Sequence, residues 1–223
     1  IYNTLLILFS AGLQGAYSYF LPKQTMEEGK DFVYKLIRVF TILGLCFSAS
    51  LFLLAQIISA VFRNPDLAKG LRRFSAVPVL MFPIIGIEGV YASLRKTHVI
   101  AIYTTLTRLL MLALITAPVL LLKGTYLTAL YGWIAASIIT CALALYLILK
   151  PYAVVQRGNT SFRYEDIFKY SMPLMIATIY GILIRFADQF FISRYYGTEV
   201  FAEFSNGFID LPFVSMITGA TVT

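Results

Sequence analysis

Five charged side chains stand inside long apolar runs: Glu88, Arg108, Arg185, Asp188 and Asp210. A lone charge at mid-bilayer costs roughly 2.5–3.5 kcal/mol on insertion scales. Such residues therefore belong beside a protein interior, a water-filled cavity or a charged ligand. Arg185 and Asp188 are three residues apart and share one face of a helix. Two outcomes fit that spacing: a self-neutralising pair that lowers the insertion cost, or the wet stripe of an otherwise apolar helix. Arg108 has no acid three or four residues away, where Thr104, Thr105, Met111 and Leu112 stand. It either pairs with Glu88 across a helix interface or lines a polar cleft. Glu88 lies between Gly86 and Gly89, whose small size lets helices approach closely, and Pro78 and Pro83 loosen the helix before it. Asp210 comes two residues before Pro212, which frees backbone carbonyls one turn earlier. An acid there either caps the kink or takes a cation or proton.

The elements that carry these charges follow from composition. Hydrophobic residues make up 59% of the 223 residues and charged residues 13%, against about 25% in soluble domains. Mean hydropathy is +0.80. Lipid is the solvent such a chain requires. A bilayer crossing needs about 20 apolar residues, and seven stretches meet that length: 1–21, 39–62, 74–94, 99–122, 126–149, 168–193 and 199–222. Backbone groups in lipid must be satisfied within the segment, so the predicted fold is all-α, a polytopic helical membrane protein. The connections RKTH, KGT and RYYGT barely turn the chain, which predicts antiparallel hairpins. The chain lacks an initiator Met and begins and ends inside apolar runs, so it reads as a fragment of a longer protein.

Lysines and arginines set the orientation. Ten stand in the connections after the first, third and fifth spans, six in the other connections, and Arg108 and Arg185 lie within spans. The first group marks the cytoplasmic side, although Arg63, Lys69, Arg72 and Arg73 form a basic cluster opposite. The net charge of +7 is thereby explained by topology, and no nucleic-acid partner is called for. Tyr126, Tyr152, Tyr170, Tyr195 and Tyr196 suit an interfacial belt. Two cytoplasmic connections are longer. One, from Lys23, has a capping-box pattern at Thr25 and Glu28 and fits a short surface helix. The other, 151–167, is the most polar linker in the chain. It divides an N-terminal bundle, 1–150, from the start of a second, 168–223.

The run 168–214 carries a Tyr-Ser-x-Pro-Leu entry at 170–174, Asp188 in mid-helix, Ile-Ser at 192–193, Gly197, Glu199 and Phe-Ser at 204–205. The first span ends in Leu-Pro-Lys at 21–23. In these features the chain resembles the lipid-linked oligosaccharide flippases, the O-antigen (Wzx-type) or polysaccharide-biosynthesis membrane proteins of the multidrug/oligosaccharidyl-lipid/polysaccharide exporter superfamily. The resemblance implies two six-helix bundles facing each other across a cleft, with the seven spans as helices two to eight. It also implies a bacterial cytoplasmic membrane location and an undecaprenyl-pyrophosphate-linked oligosaccharide as cargo, with the polysaccharide polymerase machinery as a partner. On that implication Arg108, Arg185 and Asp188 are candidate substrate contacts in the cleft, and Glu88 and Asp210 are candidates for cation or proton coupling. Relatives in the same superfamily leave two alternatives, a cation-coupled multidrug antiporter and a lipid II flippase.

A membrane glycan ligase or glycosyltransferase is the rival from another class. Such enzymes need a sizeable polar loop or domain for the sugar donor, and no connection here has that size. Gly-x-Ser-x-Gly and His-Glu-x-x-His patterns are absent. The one histidine, His98, falls in a tight turn. No catalytic residue, metal site or cofactor is predicted.

Overall fold

A computed structural model describes residues 10, 13–61, 65–121 and 124–207. The described elements are all helical. They are α1 (Gln14–Phe20), α2 (Met26–Val61), α3 (Pro65–Phe74), α4 (Ala76–Met81), α5 (Ile87–Ser93), α6 (Thr97–Leu121), α7 (Tyr126–Leu149) and α8 (Tyr164–Gly207), with short 3-10 turns at Leu21–Lys23, Phe82–Ile84 and Lys150–Tyr152. The chain divides into two compact units, Ile1–Met175 and Ile176–Thr223. Among the described residues, four segments are long and apolar enough to cross a membrane: Met26–Ala60, Asp66–Ser93, Thr97–Leu121 and Tyr126–Tyr152. The protein is an all-α, polytopic membrane protein. The first and last predicted spans fall largely outside the described residues.

α2 starts where the sequence places a cap. Thr25 N–H donates to Glu28 Oε2 at 3.1 Å, and Glu28 N–H donates to Thr25 Oγ1 at 3.3 Å. The helix then runs on without a break for 36 residues, about 54 Å at 1.5 Å per residue. That exceeds a hydrocarbon core of about 30 Å. The expected separate surface helix is therefore the first turns of the spanning helix itself. Nothing between Gly29 and Val39 breaks the ladder, and Leu21 and Tyr152 pack at Gly29, each at an ordinary contact distance of 3.5 Å from where a Cβ would sit. Residues 26–38 hold six charges and project beyond the apolar stretch that begins at Val39.

The third span is not one helix. Pro83 enters a 3-10 turn and two turn residues follow, so α4 and α5 are short halves of one crossing. Of the four spans this one is the most enclosed, 67% buried against 11–39% for the rest, so it is the centre around which the others pack. Glycines make that possible. A Cβ on Gly86 would lie 2.0 Å from the Tyr17 ring and one on Gly89 2.5 Å from Tyr17 Cβ, so α1 rests directly on the α5 backbone.

α6 and α7 form the expected hairpin, and α7 begins and ends where the sequence places it. Small residues line its inner face: Gly132, Ala136, Ser137, Thr140 and Ala144. A Cβ on Gly132 would stand 2.1 Å from the Leu114 carbonyl oxygen. Ile102, Leu109, Leu112, Ile138 and Ile139 stand exposed on the outer faces, a surface suited to lipid and not to water.

In the second unit the described residues, 176–207, are all helix. The hairpin expected at RYYGT is absent, because α8 continues through it. A single Gly costs a helix only about 1 kcal/mol relative to Ala, and no proline stands between Pro173 and Pro212 to end it.

Candidate functional site

The candidate charges occupy different places. Glu88 is in the first turn of α5, whose Ile87, Gly89, Val90 and Tyr91 point inward; Glu88 itself is exposed. Arg108 is also exposed. Tyr103 and Thr107 mark the packed side of α6, and Arg108 follows Thr107 by about 100° around the helix, at the margin of that side. Among the described residues no ion pair joins Glu88 to Arg108. α5 turns Glu88 outward because its inner face is taken by Tyr17 and the glycines. Arg185 and Asp188 lie on α8 at the predicted three-residue spacing, but their side chains lie outside the described residues, as does Asp210. Among the described residues no three His, Cys, Asp or Glu side chains cluster at metal-binding distance.

The densest polar constellation was not singled out by sequence. It centres on Asp31, in the second turn of α2, whose side chain is 6% exposed. Asp31 Oδ1 accepts from Arg157 Nε at 2.8 Å and pairs with Arg157 Nη2 at 2.7 Å. Oδ2 pairs with Lys35 Nζ at 3.1 Å and accepts from the Thr160 N–H at 3.3 Å. Around it, Lys30 Nζ donates to the Val155 carbonyl at 2.7 Å, Gly158 N–H donates to the Glu27 carbonyl at 3.1 Å, and Gln24 Nε2 donates to Thr160 Oγ1. The Arg157 guanidinium also stacks over Tyr34, 5.1 Å from its centroid. The polar linker is thus strapped along the start of α2. Burial alone would raise the Asp31 carboxyl. Hydrogen bonds from Arg157, Lys35 and the Thr160 N–H, with the Lys35 charge, outweigh it and hold the group below the usual carboxylate range.

Beside this strap, aromatic rings close the same end of the bundle. Tyr17 stacks on Phe40 and meets Phe32 edge-on, while Phe20 packs against Phe32, Phe162 and Tyr170. Tyr152, expected at the interface, is instead 3% exposed within this cluster. Asp31 carried one sequence signal that could have found it: it stands directly before Phe32 and Val33 on the inward face, where an unpaired acid is not tolerated. Its chief partner is 126 residues away, and nothing local names it.

A helical chain with apolar outer faces and few polar connections restricts the possible families, and comparison with known proteins decides among them. The model of the polysaccharide biosynthesis protein family matches residues 1–223. The chain belongs to that family. No curated protein and no solved structure matches it. As a polysaccharide biosynthesis protein it is a multi-pass membrane member, and the Asp31 strap and the broken third span are features of its first compact unit.

Proposed function

We propose that this protein is a transporter that moves lipid-linked oligosaccharide repeat units across the bacterial cytoplasmic membrane for polysaccharide export. The observation that carries the reading is membership of the polysaccharide biosynthesis family in a chain that is nearly all membrane helix. A polysaccharide pathway needs enzymes that use soluble sugar donors and a carrier that crosses the membrane. The long polar connection at 151–167 is folded down onto α2, and no polar domain for a donor stands among the described residues, which favours the carrier over a ligase or glycosyltransferase. The linker side is cytoplasmic, as the excess of lysine and arginine there supports.

The cargo's pyrophosphate is a dense anion, and arginine supplies fixed, planar donors matched to its oxygens. Arg108 and Arg185 are the proposed contacts, Asp188 keeps Arg185 partly neutral during insertion, and Glu88 and Asp210 are the proposed coupling groups. The protein hands its cargo to the polymerase machinery. Exposed Glu88 favours one second reading, an antiporter drawing on a cation gradient, within the same superfamily.

Arg108→Ala and Arg185→Ala, each in the complete protein, are scored for surface polysaccharide at matched protein level. Loss of export in both, with partial recovery by Arg→Lys, supports the reading; full export by both variants ends it.

A further inference from the structure

α3 has two unlike sides. Leu67, Leu71 and Phe74 fall on one and Asp66, Lys69 and Arg72 on the other, the pattern of a helix made for a membrane surface. It doubles back beside the end of α2. Ser48 Oγ donates to the Ser75 carbonyl, and the Arg72 guanidinium lies 5.7 Å from the Phe52 ring. Arg73 lies 5.7 Å from the ring of Tyr131, five residues into α7 and so about 8 Å below its start. Tyr126, Tyr131 and Trp133 follow one another at this level of α7, with Phe74 edge-on to Trp133 at 5.2 Å, an interfacial aromatic belt.

The charges there do not balance. Lys69 pairs with Asp66 at 3.8 Å. Arg72 and Arg73 have no acid partner among the described residues, and Arg73 Nη1 is sealed from solvent with no acceptor. A shielded guanidinium donor without an acceptor is unfavourable, and so is a basic cluster on the face to which the positive-inside bias assigns few. Arg72 is exposed and Arg73 half-buried, so their other donors are open to an acceptor from outside the chain. An open groove of about 370 Å³, bordered by Asp66, Leu67, Gly70 and Tyr126, lies about one turn before the arginines on α3.

We propose that Arg72 and Arg73, at the end of α3, bind the phosphate of an anionic membrane phospholipid, at the membrane face remote from the linker. Planar guanidinium groups braced on aromatic rings present their donors bidentately, and the belt residues hold the glycerol and upper acyl chain.

Trp133 is the only tryptophan in these 223 residues and reports the site directly. The complete protein in neutral detergent is titrated with brominated phosphatidylglycerol or brominated phosphatidylcholine. Quenching is read as the difference between the parent and Trp133→Phe. The expected result is quenching at far lower concentrations of phosphatidylglycerol. The midpoint rises about fivefold on losing either arginine and about thirtyfold in Arg72→Ala/Arg73→Ala, whereas Arg72→Lys/Arg73→Lys keeps the preference for phosphatidylglycerol. Equal quenching by both lipids, or an unchanged midpoint in the double alanine variant, overturns the proposal. If that variant does not fold, the parent alone decides: its phosphatidylglycerol midpoint must rise when salt goes from about 0.05 to 0.5 M, and a salt-independent midpoint refutes the site.

Discussion

Replacing Asp31 with Asn removes the charge at the centre of the strap while keeping its shape. Four donors converge on the carboxylate: Nε and Nη2 of Arg157, Nζ of Lys35 and the Thr160 N–H. A hydrogen bond to a charged group is worth about 1.5–3 kcal/mol net. The Arg157 side chain is 52% exposed, so its ionic contribution is screened and its guanidinium regains water when released. Asn keeps one acceptor but turns an amide toward the remaining donors. About 2 kcal/mol of local stability is lost, a factor of about thirty in the opening equilibrium of the linker. Hydrogen exchange at Gly158 measures it. That amide bonds to the Glu27 carbonyl at 3.1 Å and is not touched by the substitution, so it reports release of the strap and not the lost contact itself. Exchange there is expected to accelerate about thirtyfold. An acceleration under about threefold, with Asp31→Asn otherwise folded, refutes the idea that Asp31 holds the linker down.

The depressed carboxyl of Asp31 adds a pH signature. Its contribution is fully present above the ordinary aspartate value of about 3.9 and is lost as pH falls through the lower folded value. Protection at Gly158, corrected for intrinsic exchange, is therefore level from about pH 5 to 8; a decline centred between pH 5 and 7 contradicts the assignment. Gly132→Ala must push Leu114 away and lowers stability in detergent by about 1–3 kcal/mol. Gly70→Ala meets nothing within 4 Å and is neutral or stabilising by up to about 1 kcal/mol; equal melting of the two variants refutes the packing. Tyr17→Phe removes a buried hydroxyl that has no partner among the described residues and changes melting little. Tyr17→Ala empties a packed ring site and costs about 3–5 kcal/mol; a large loss in the Phe variant shows a hydrogen bond at that hydroxyl.

Hydropathy and turn chemistry made much of the first unit readable. α7 is bounded by Thr125 and Lys150, where apolar sequence stops on both sides, and Pro83 located the break in the third span, whereas Pro78 lies inside α4. The cap at Thr25 was readable too, but not that α2 continues through six charged residues into the membrane. Length there is decided by what the projecting turns pack against, which is the linker and the aromatic cluster. At RYYGT one glycine argued for a turn, and helix continuation outweighed it. Glu88 and Arg108 were readable as costly charges, since the cost depends on residue type and depth alone. Which way each faces depends on neighbours such as Tyr17, and the Asp31 strap on a contact across more than half the chain.

The seat of Gly132 on the Leu114 carbonyl locks α6 and α7 against sliding, so whatever displaces one carries the other. The proposed transport, which opens a carrier alternately to two sides, then needs its compliance elsewhere. The crossing that turns from α-helix to 3-10 and back between Met81 and Ile87 lacks a continuous ladder at mid-depth, yet it is gripped by Gly44 against Phe82 and by Tyr17 against Gly86. It has the build of a hinge with its pin in place: a bend axis fixed in position by neighbours on both sides.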